Sequence, residues 1–299
     1  MSPNDSIEPV LQSIAKAERH MKSEYGTRMV GVMDTIAAHP HFAMMLAPGV
    51  VKVCSGRDEV DAMYKASVDF AEPRASRIVS QLATDWYMFM ENVPTRLWIA
   101  EGVERTAQTV NIFISDDAGG LTGEYAWQRY YPPVEDEADG TPDLPRRTLE
   151  NLQLHDDLLA ALVAGDGAAL AQILDPACLW AQRNYLREAT GGEIMNLQGA
   201  EAVVQHVAAW HAAFEPEHVS VLNRRVTDWF VFSEELWVVR PGNGEARQYR
   251  TATIYPVNAA GKFEGALGFG QDVGALTPTA STKLGLAVYP LGAALLPNQ

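Results

Sequence analysis

Tyr25 and Arg28 stand three residues apart in the run IEPVLQSIAKAERHMKSEYGTRMVGVMDTIA, among Met21, Met29, Val32 and Ile36. Steps of three, four and seven predict one face of an amphipathic helix, so a phenol and a guanidinium share an apolar stripe. An arginine there is costly unless paired. It either snorkels out towards solvent or an acid, or it meets a ligand oxygen. Tyr25 is either a core tyrosine or a hydrogen-bond donor to a substrate oxygen. The aromatic supply of the first half adds Trp86, Tyr87, Phe89, Trp98, Phe113, Tyr125 and Trp127. On alternating strands half of these face inward, which makes a flat cavity suited to an aromatic ligand. Tyr87, Trp98 and Phe113 are the expected substrate contacts, with Arg96, two residues before Trp98, facing the same pocket.

Those residues need a scaffold, and the chain writes its scaffold twice. ATDWYMF from Ala83 returns as VTDWFVF from Val226, 143 positions on. GRDEVDAMY (Gly56–Tyr64) faces GAEAVVQHV (Gly199–Val207) at the same offset, and NIFISDDAGGLTG faces TIYPVNAAGKFEG at 142. LAPGVVKV faces LDPACLWA at 128, the difference being an insertion of about 15 residues in the second copy. Matches that keep one order indicate a tandem duplication of a whole domain. The expected division is domain 1 over 1–134, a Pro- and acid-rich linker over 135–149, domain 2 over 150–276 and a tail over 277–299. The length of 299 residues fits two domains of roughly 130–150 residues.

Within each copy, helical periods come first and period-two strands follow. LLAALVAGDGAALAQIL predicts two helices joined at Gly-Asp-Gly, and GRDEV and GAEAV each open a further helix. RIVSQLATDWYMFM, AQTVNIFIS and LTGEYAWQRYY alternate, the last two joined by DDAGG. Three helices followed by an antiparallel meander make an α+β domain with the sheet wrapped around its helices. Asp85 and Trp86, present in both copies, read as a strand-end hydrogen-bonding residue and a core aromatic; a substrate contact by Asp85 is the other reading.

The order helix, helix, LxPxxxxx, G(R/A)(D/E)xV, strand, AGxxxG and strand resembles the NTF2-like superfamily, which includes ketosteroid isomerase, scytalone dehydratase and the SnoaL-like polyketide cyclases. The resemblance covers roughly residues 15–133 and 150–275. It implies, for each half, a cone-shaped α+β barrel of three helices on a curved antiparallel sheet, an apolar pocket within it, and cofactor-independent acid–base chemistry on small, often aromatic molecules. Laid on the isomerase pattern, the inward positions of the last two strands are Thr109, Asn111, Glu124, Ala126 and Gln128 in copy one. In copy two they are Thr251, Thr253, Ala266, Gly268 and Gly270. Copy one thus points a carboxylate and two amides into its cone, and copy two only small side chains. A lone Glu124 against apolar walls would have its pKa raised towards the range useful for proton transfer. A register slip of one residue would instead put it on the surface. The isomerase's own base, oxyanion acid and helix tyrosine fall at Val53, Asn111 and Val30, so steroid isomerisation by that apparatus is not expected.

The expected function is therefore a cofactor-independent lyase of a small aromatic substrate, of the dehydration, elimination or retro-aldol type, with a lignin-derived two-ring compound as one candidate. Glu124, Tyr25 and Arg28 are its candidate catalytic groups, and Asn111, Gln128, Arg96, Trp98, Tyr87, Phe113 and Asp85 its candidate substrate contacts, with copy two structural. A non-catalytic aromatic-ligand carrier and an isomerase or cyclase are the alternatives. His39 and His41 are two apart at an expected helix end with no third donor, so no metal is expected. A net charge of −15 with no Lys/Arg cluster argues against nucleic acid and anionic membrane surfaces. With two cysteines and no signal-like start, a soluble cytoplasmic protein is expected. Pairing of the two halves through their sheets is expected from the resemblance, and association of whole chains into a homo-oligomer is left open.

Overall fold

The computed structural model of the chain describes residues 8–26, 29–47, 50–115, 120–130, 144–184, 194–275, 286–288 and 294–295. The chain divides into two compact units, Met1–Gly140 with Lys283–Gln299, and Thr141–Thr282. Unit one runs α1 (Glu8–Met21), β1 (Ile36–Ala47), β2 (Val50–Ser55), α2 (Arg57–Phe70), β3 (Ala71–Ala83), β4 (Tyr87–Trp98), β5 (Val103–Ser115) and β6 (Leu121–Tyr130). Unit two runs α3 (Leu144–Ala164), α4 (Gly167–Ile173), β7 (Leu174–Asn184), β8 (Ile194–Gln198), α5 (Ala200–Phe214), β9 (Pro216–Val226), β10 (Phe230–Val239), β11 (Arg247–Pro256) and β12 (Phe263–Ala275). α3 begins within the stretch expected to be linker.

The two sheets have one topology. Strand order is β3-β4-β5-β6-β1-β2 in unit one and β9-β10-β11-β12-β7-β8 in unit two. The sheets are mixed and not purely antiparallel as expected: the last strand of each meander lies parallel to the first strand, with Phe42 opposite Glu124 and Trp180 opposite Ala266. That parallel pair joins the meander to the strand that precedes it in the chain, a contact that period-two patterning does not encode. Each unit is thus an α+β domain, helices packed on a mixed sheet. The tail returns to unit one, where β13 (Leu286–Val288) and β14 (Ala294–Leu295) pair with β3.

The expected long first helix of unit one is interrupted. α1 ends at Met21, a single π turn covers Lys22–Gly26, and Val32–Thr35 forms a 3-10 turn. Met29 takes φ 67° and Gly31 φ 76°, left-handed values that end a helix. Ile36 therefore starts a strand and does not share a helix face with Tyr25. Among the described residues unit one has two α-helices where three were expected, whereas unit two has three, with Asp166 capping α4 by accepting from the Ala168 and Ala169 amides at 3.0 Å. His39 and His41 lie on β1, where His41 Nδ1 meets the Tyr125 hydroxyl at 2.6 Å. The DDAGG turn lies outside the described residues.

The repeated Thr-Asp-Trp is the hairpin turn between the first two meander strands. Thr84 Oγ1 accepts from the Trp86 and Tyr87 amides at 3.3 and 3.2 Å, and Thr227 Oγ1 accepts from Trp229 and Phe230 at 3.4 and 3.2 Å. The tryptophan then stands edge-on to the next aromatic, with centroids 5.1 and 4.8 Å apart. The threonine holds the turn, a role the sequence reading gave to the aspartate. Thr84→Val or Thr227→Val is expected to cost about 1–2 kcal/mol, since a cap to buried backbone amides is lost; a lowered urea midpoint for either unit's transition would show it.

Candidate functional site

Alternation and cross-strand register decide what faces the helices of unit one. Glu124 lies opposite Phe113, which lies opposite Met88, while Asn111 pairs with both Met90 and Ala126. Partners directly opposite share a face, so Glu124, Ala126, Gln128, Asn111, Phe113 and Arg96 form one surface. Tyr87 alternates to the other face and is buried there, away from Glu124. Tyr125 and Trp127 lie on that face as well, so the π-rich lining expected for this cone is largely outside it.

α1 and α2 complete the site with residues the sequence reading passed over. His20 Nε2 sits 3.2 Å from Glu124 Oε2, 2.9 Å from the Tyr64 hydroxyl and 3.5 Å from Glu24 Oε1. Tyr64 donates to Glu124 Oε2 at 3.3 Å. His20, Glu24, Tyr64 and Glu124 are all at most 4% exposed. Thr35 fixes the imidazole: its hydroxyl donates to the Val32 carbonyl at 2.6 Å, so at 2.7 Å it accepts from His20 Nδ1–H. Nε2 is therefore the nitrogen that faces both carboxylates, and they favour a proton on it.

The electrostatics follow from that crowding. Burial alone would lower the pKa of His20, but the hydrogen bond to Glu124 and the attraction of both carboxylates raise it to about 9. Burial and repulsion from Glu24 raise that of Glu124, against the pull of His20. Burial would also raise Glu24, but the imidazolium outweighs it and the pKa is lowered. Burial and the two carboxylates push Tyr64 well above the usual phenol range, so it stays a donor. Among the described residues, His20, Glu24 and Glu124 are also the one group of such donors close enough to share a metal ion, within 4.8 Å of one another.

Tyr25 is buried in the π turn, and Arg96 Nη2 donates to its hydroxyl at 3.3 Å. Arg28 lies outside the described residues. Asn111 donates to Asn92 at 2.8 Å and Gln128 to the Met45 carbonyl at 2.7 Å, so both amides are engaged with protein. Phe113 is edge-on to the His20 ring at 6.2 Å. Trp98 stacks on Phe70 and carries Arg105 over its ring, at the far end of β4. Asp85 sits in the β3–β4 turn, away from this cluster in the chain's topology. The signal that could have found His20 was its spacing: His20 and Glu24 are four apart on a helix with buried Ala17 and Met21.

No family model matches the chain, and no curated protein does. Solved structures do resemble it. An epoxide hydrolase of the LEH-like type from M. tuberculosis is 12% identical, covering 41% of this chain and 83% of its own, with a TM-score of 0.33. An NTF-2 like protein of unknown function from Burkholderia xenovorans is 15% identical over 45% and 91%, at 0.32. A protein of ketosteroid isomerase-like fold from Catenulispora acidiphila, in complex with trimethylamine, is 15% identical over 46% and 88%, also at 0.32. At such identities and scores the likeness carries no activity across.

The cluster sets a pH dependence of stability. His20 and Glu124 have raised pKa values, so their contribution is full at low pH and fades as pH rises; for His20 the window runs from 6.5 to about 9. Glu24, lowered from 4.5, contributes above that value and loses its contribution in acid. The melting temperature is expected to fall between pH 6.5 and 9, and His20→Gln to flatten that slope in parallel melts.

Proposed function

We propose that unit one is a cofactor-independent acid–base catalyst acting on a small aromatic substrate, by dehydration or a related elimination. The observation that carries this reading is the buried His20–Glu124–Tyr64 cluster with Glu24 behind it. A carboxylate of raised pKa, an imidazolium and a protonated phenol stand within 3.3 Å of one another. General acid–base catalysis works best with groups whose pKa is drawn towards the working pH, and burial does that here for Glu124.

In this reading Glu124 removes a proton from carbon and the electron pair forms the C=C bond. The C–O bond breaks, His20 protonates the departing hydroxyl, and water leaves. Tyr64 and the Arg96-held Tyr25 hydroxyl supply donors to oxygen that gains charge. Retro-aldol cleavage uses the same two groups, with the proton taken from a hydroxyl and a C–C bond broken. All four cluster residues are sealed from solvent, so substrate entry displaces neighbouring side chains and the reacting groups work in a dry environment.

Glu124→Gln is expected to reduce kcat on the order of 10²–10⁴-fold while ligand affinity is retained. Alkene absorbance from a phenolic two-ring β-hydroxy compound would report it, and an undiminished rate would sink the assignment. Dialysis against a chelator should leave turnover unchanged, because the cluster is read as holding a proton where a metal ion would otherwise sit; loss restored by added Zn²⁺ would reverse that reading.

A further inference from the structure

Unit two contains a cavity of about 710 Å³ lined from α5 and its sheet. The substitutions that open it are visible by alignment with unit one. Gln128 and Ala126 of β6 become Gly270 and Gly268 of β12, and Glu124 becomes Ala266, at the constant offset of 142. Asn111 likewise becomes Thr253. Gly268 lies so close to β11 that a Cβ on it would stand 2.4 Å from Thr253 Oγ1, so this wall admits no larger residue. Gly268, Gly270 and Thr253 line the cavity, so the space that the Gln128 and Asn111 amides take in unit one is left open there.

The walls are largely aromatic, with Gln182, Asn196 and His206 among them. Trp180, Trp210, Trp237, Tyr249 and Phe214 line the cavity, with no Lys, Arg, Asp or Glu among its lining residues. One pole is polar. Thr251 accepts from Trp237 Nε1 at 3.1 Å and donates to buried Glu235, and Tyr255 donates to the same carboxylate at 3.4 Å. His155 Nε2 of α3 stands 3.4 Å from Glu235 Oε1, the oxygen that Tyr255 also reaches. Of the lining hydroxyls, Thr251 and Tyr255 spend their protons on Glu235, which leaves each oxygen a lone pair to offer a ligand beside the Trp237 donor that Thr251 already accepts.

We propose that this cavity is a second ligand site, separate from the unit-one cluster, for a neutral aromatic molecule of two or three rings that carries a hydroxyl donor. The volume lies within the roughly 300–1,000 Å³ range of small-molecule sites. Among the described lining residues an anionic ligand meets no Lys or Arg, His206 being the one basic side chain, and it has the buried Glu235 behind the pole. A hydroxyl placed against Thr251 and Tyr255 satisfies lone pairs that an ether leaves unpaired.

Calorimetric titration of the full chain with 2-naphthol tests this, against 2-methoxynaphthalene and 2-naphthoate. The expected result is one saturable site, about tenfold weaker for the ether, the worth of roughly one hydrogen bond, and no binding of the carboxylate. Gly270→Leu should abolish binding, with circular dichroism confirming the fold, while Glu124→Gln leaves it intact. Should Gly270→Leu not fold, Ala213→Trp at the exposed rim of the cavity provides the same block. Binding that survives the block in a folded protein, or that Glu124→Gln removes, overturns the proposal, as does the absence of saturable binding. Equal affinity for the ether, or preference for the carboxylate, overturns the assigned chemistry of the ligand. Failure of the lyase reading would leave these titrations unchanged.

Discussion

The parallel pairing of β6 with β1 is the contact on which the architecture of unit one depends. It sets Glu124 directly opposite Phe42 and under the end of α1, where His20 waits. An antiparallel meander alone would leave its last strand at an edge, with Glu124 free to reach solvent. Joined to β1, that strand becomes interior, and its carboxylate loses water on both faces. The cost of burying an anion then has to be met by partners. His20, Tyr64 and the Thr35 hydroxyl behind them are those partners, and they come from three separate elements.

Most of this scaffold was legible. The duplication was plain from ordered repeats, and α2, α4 and α5 begin at Gly56, Asp166 and Gly199 as expected because Gly and Asp caps are local chemistry, whereas α3 begins inside the stretch expected to be linker. The inward face of β5 and β6 was legible only as one of two registers, the one the family resemblance implied, since both faces of these strands are buried and burial alone does not choose between them. The break in α1 was not. A π turn has no residue signature, and its widened step allows both Glu24 and Tyr25 to face the core where a regular helix would choose between them. Reading the stripe as Met21 and Tyr25 therefore hid the pair His20 and Glu24. Tyr64 was invisible for a different reason: it sits on α2, whose contact with β6 is set by the closed sheet and not by any local pattern.

The two units answer the same problem, how to fill a concave sheet, in opposite ways. Unit one packs Met, Phe and a polar cluster inside, with Glu124 and Gln128 consuming volume. Unit two removes side chains at the matching positions and leaves space bounded by indoles. Yet both keep a buried histidine on their first helix against a buried glutamate and a tyrosine: His20, Glu124 and Tyr64 in one, His155, Glu235 and Tyr255 in the other. The glutamates do not correspond. Glu124 lies on the last strand, whereas Glu235 lies on β10 at the position Asn92 holds in unit one.

That non-correspondence bears on why the clusters exist. A buried ion pair inherited as scaffold would occupy equivalent positions in both copies, as Thr84 and Thr227 do. A carboxylate carried by different strands, yet facing a first-helix histidine in each copy, is not explained by inheritance of a single packing solution. Stability does not explain it either, since apolar residues of similar volume commonly serve a core as well as a buried pair. What the two arrangements share is chemical: a carboxylate held out of water beside an imidazole and a phenol. In unit one this trio is packed shut; in unit two its phenol, Tyr255, lines a cavity beside Thr251. The same chemistry thus borders open space in one half and not in the other, and Gly268 and Gly270 of β12 are among the residues that line that space.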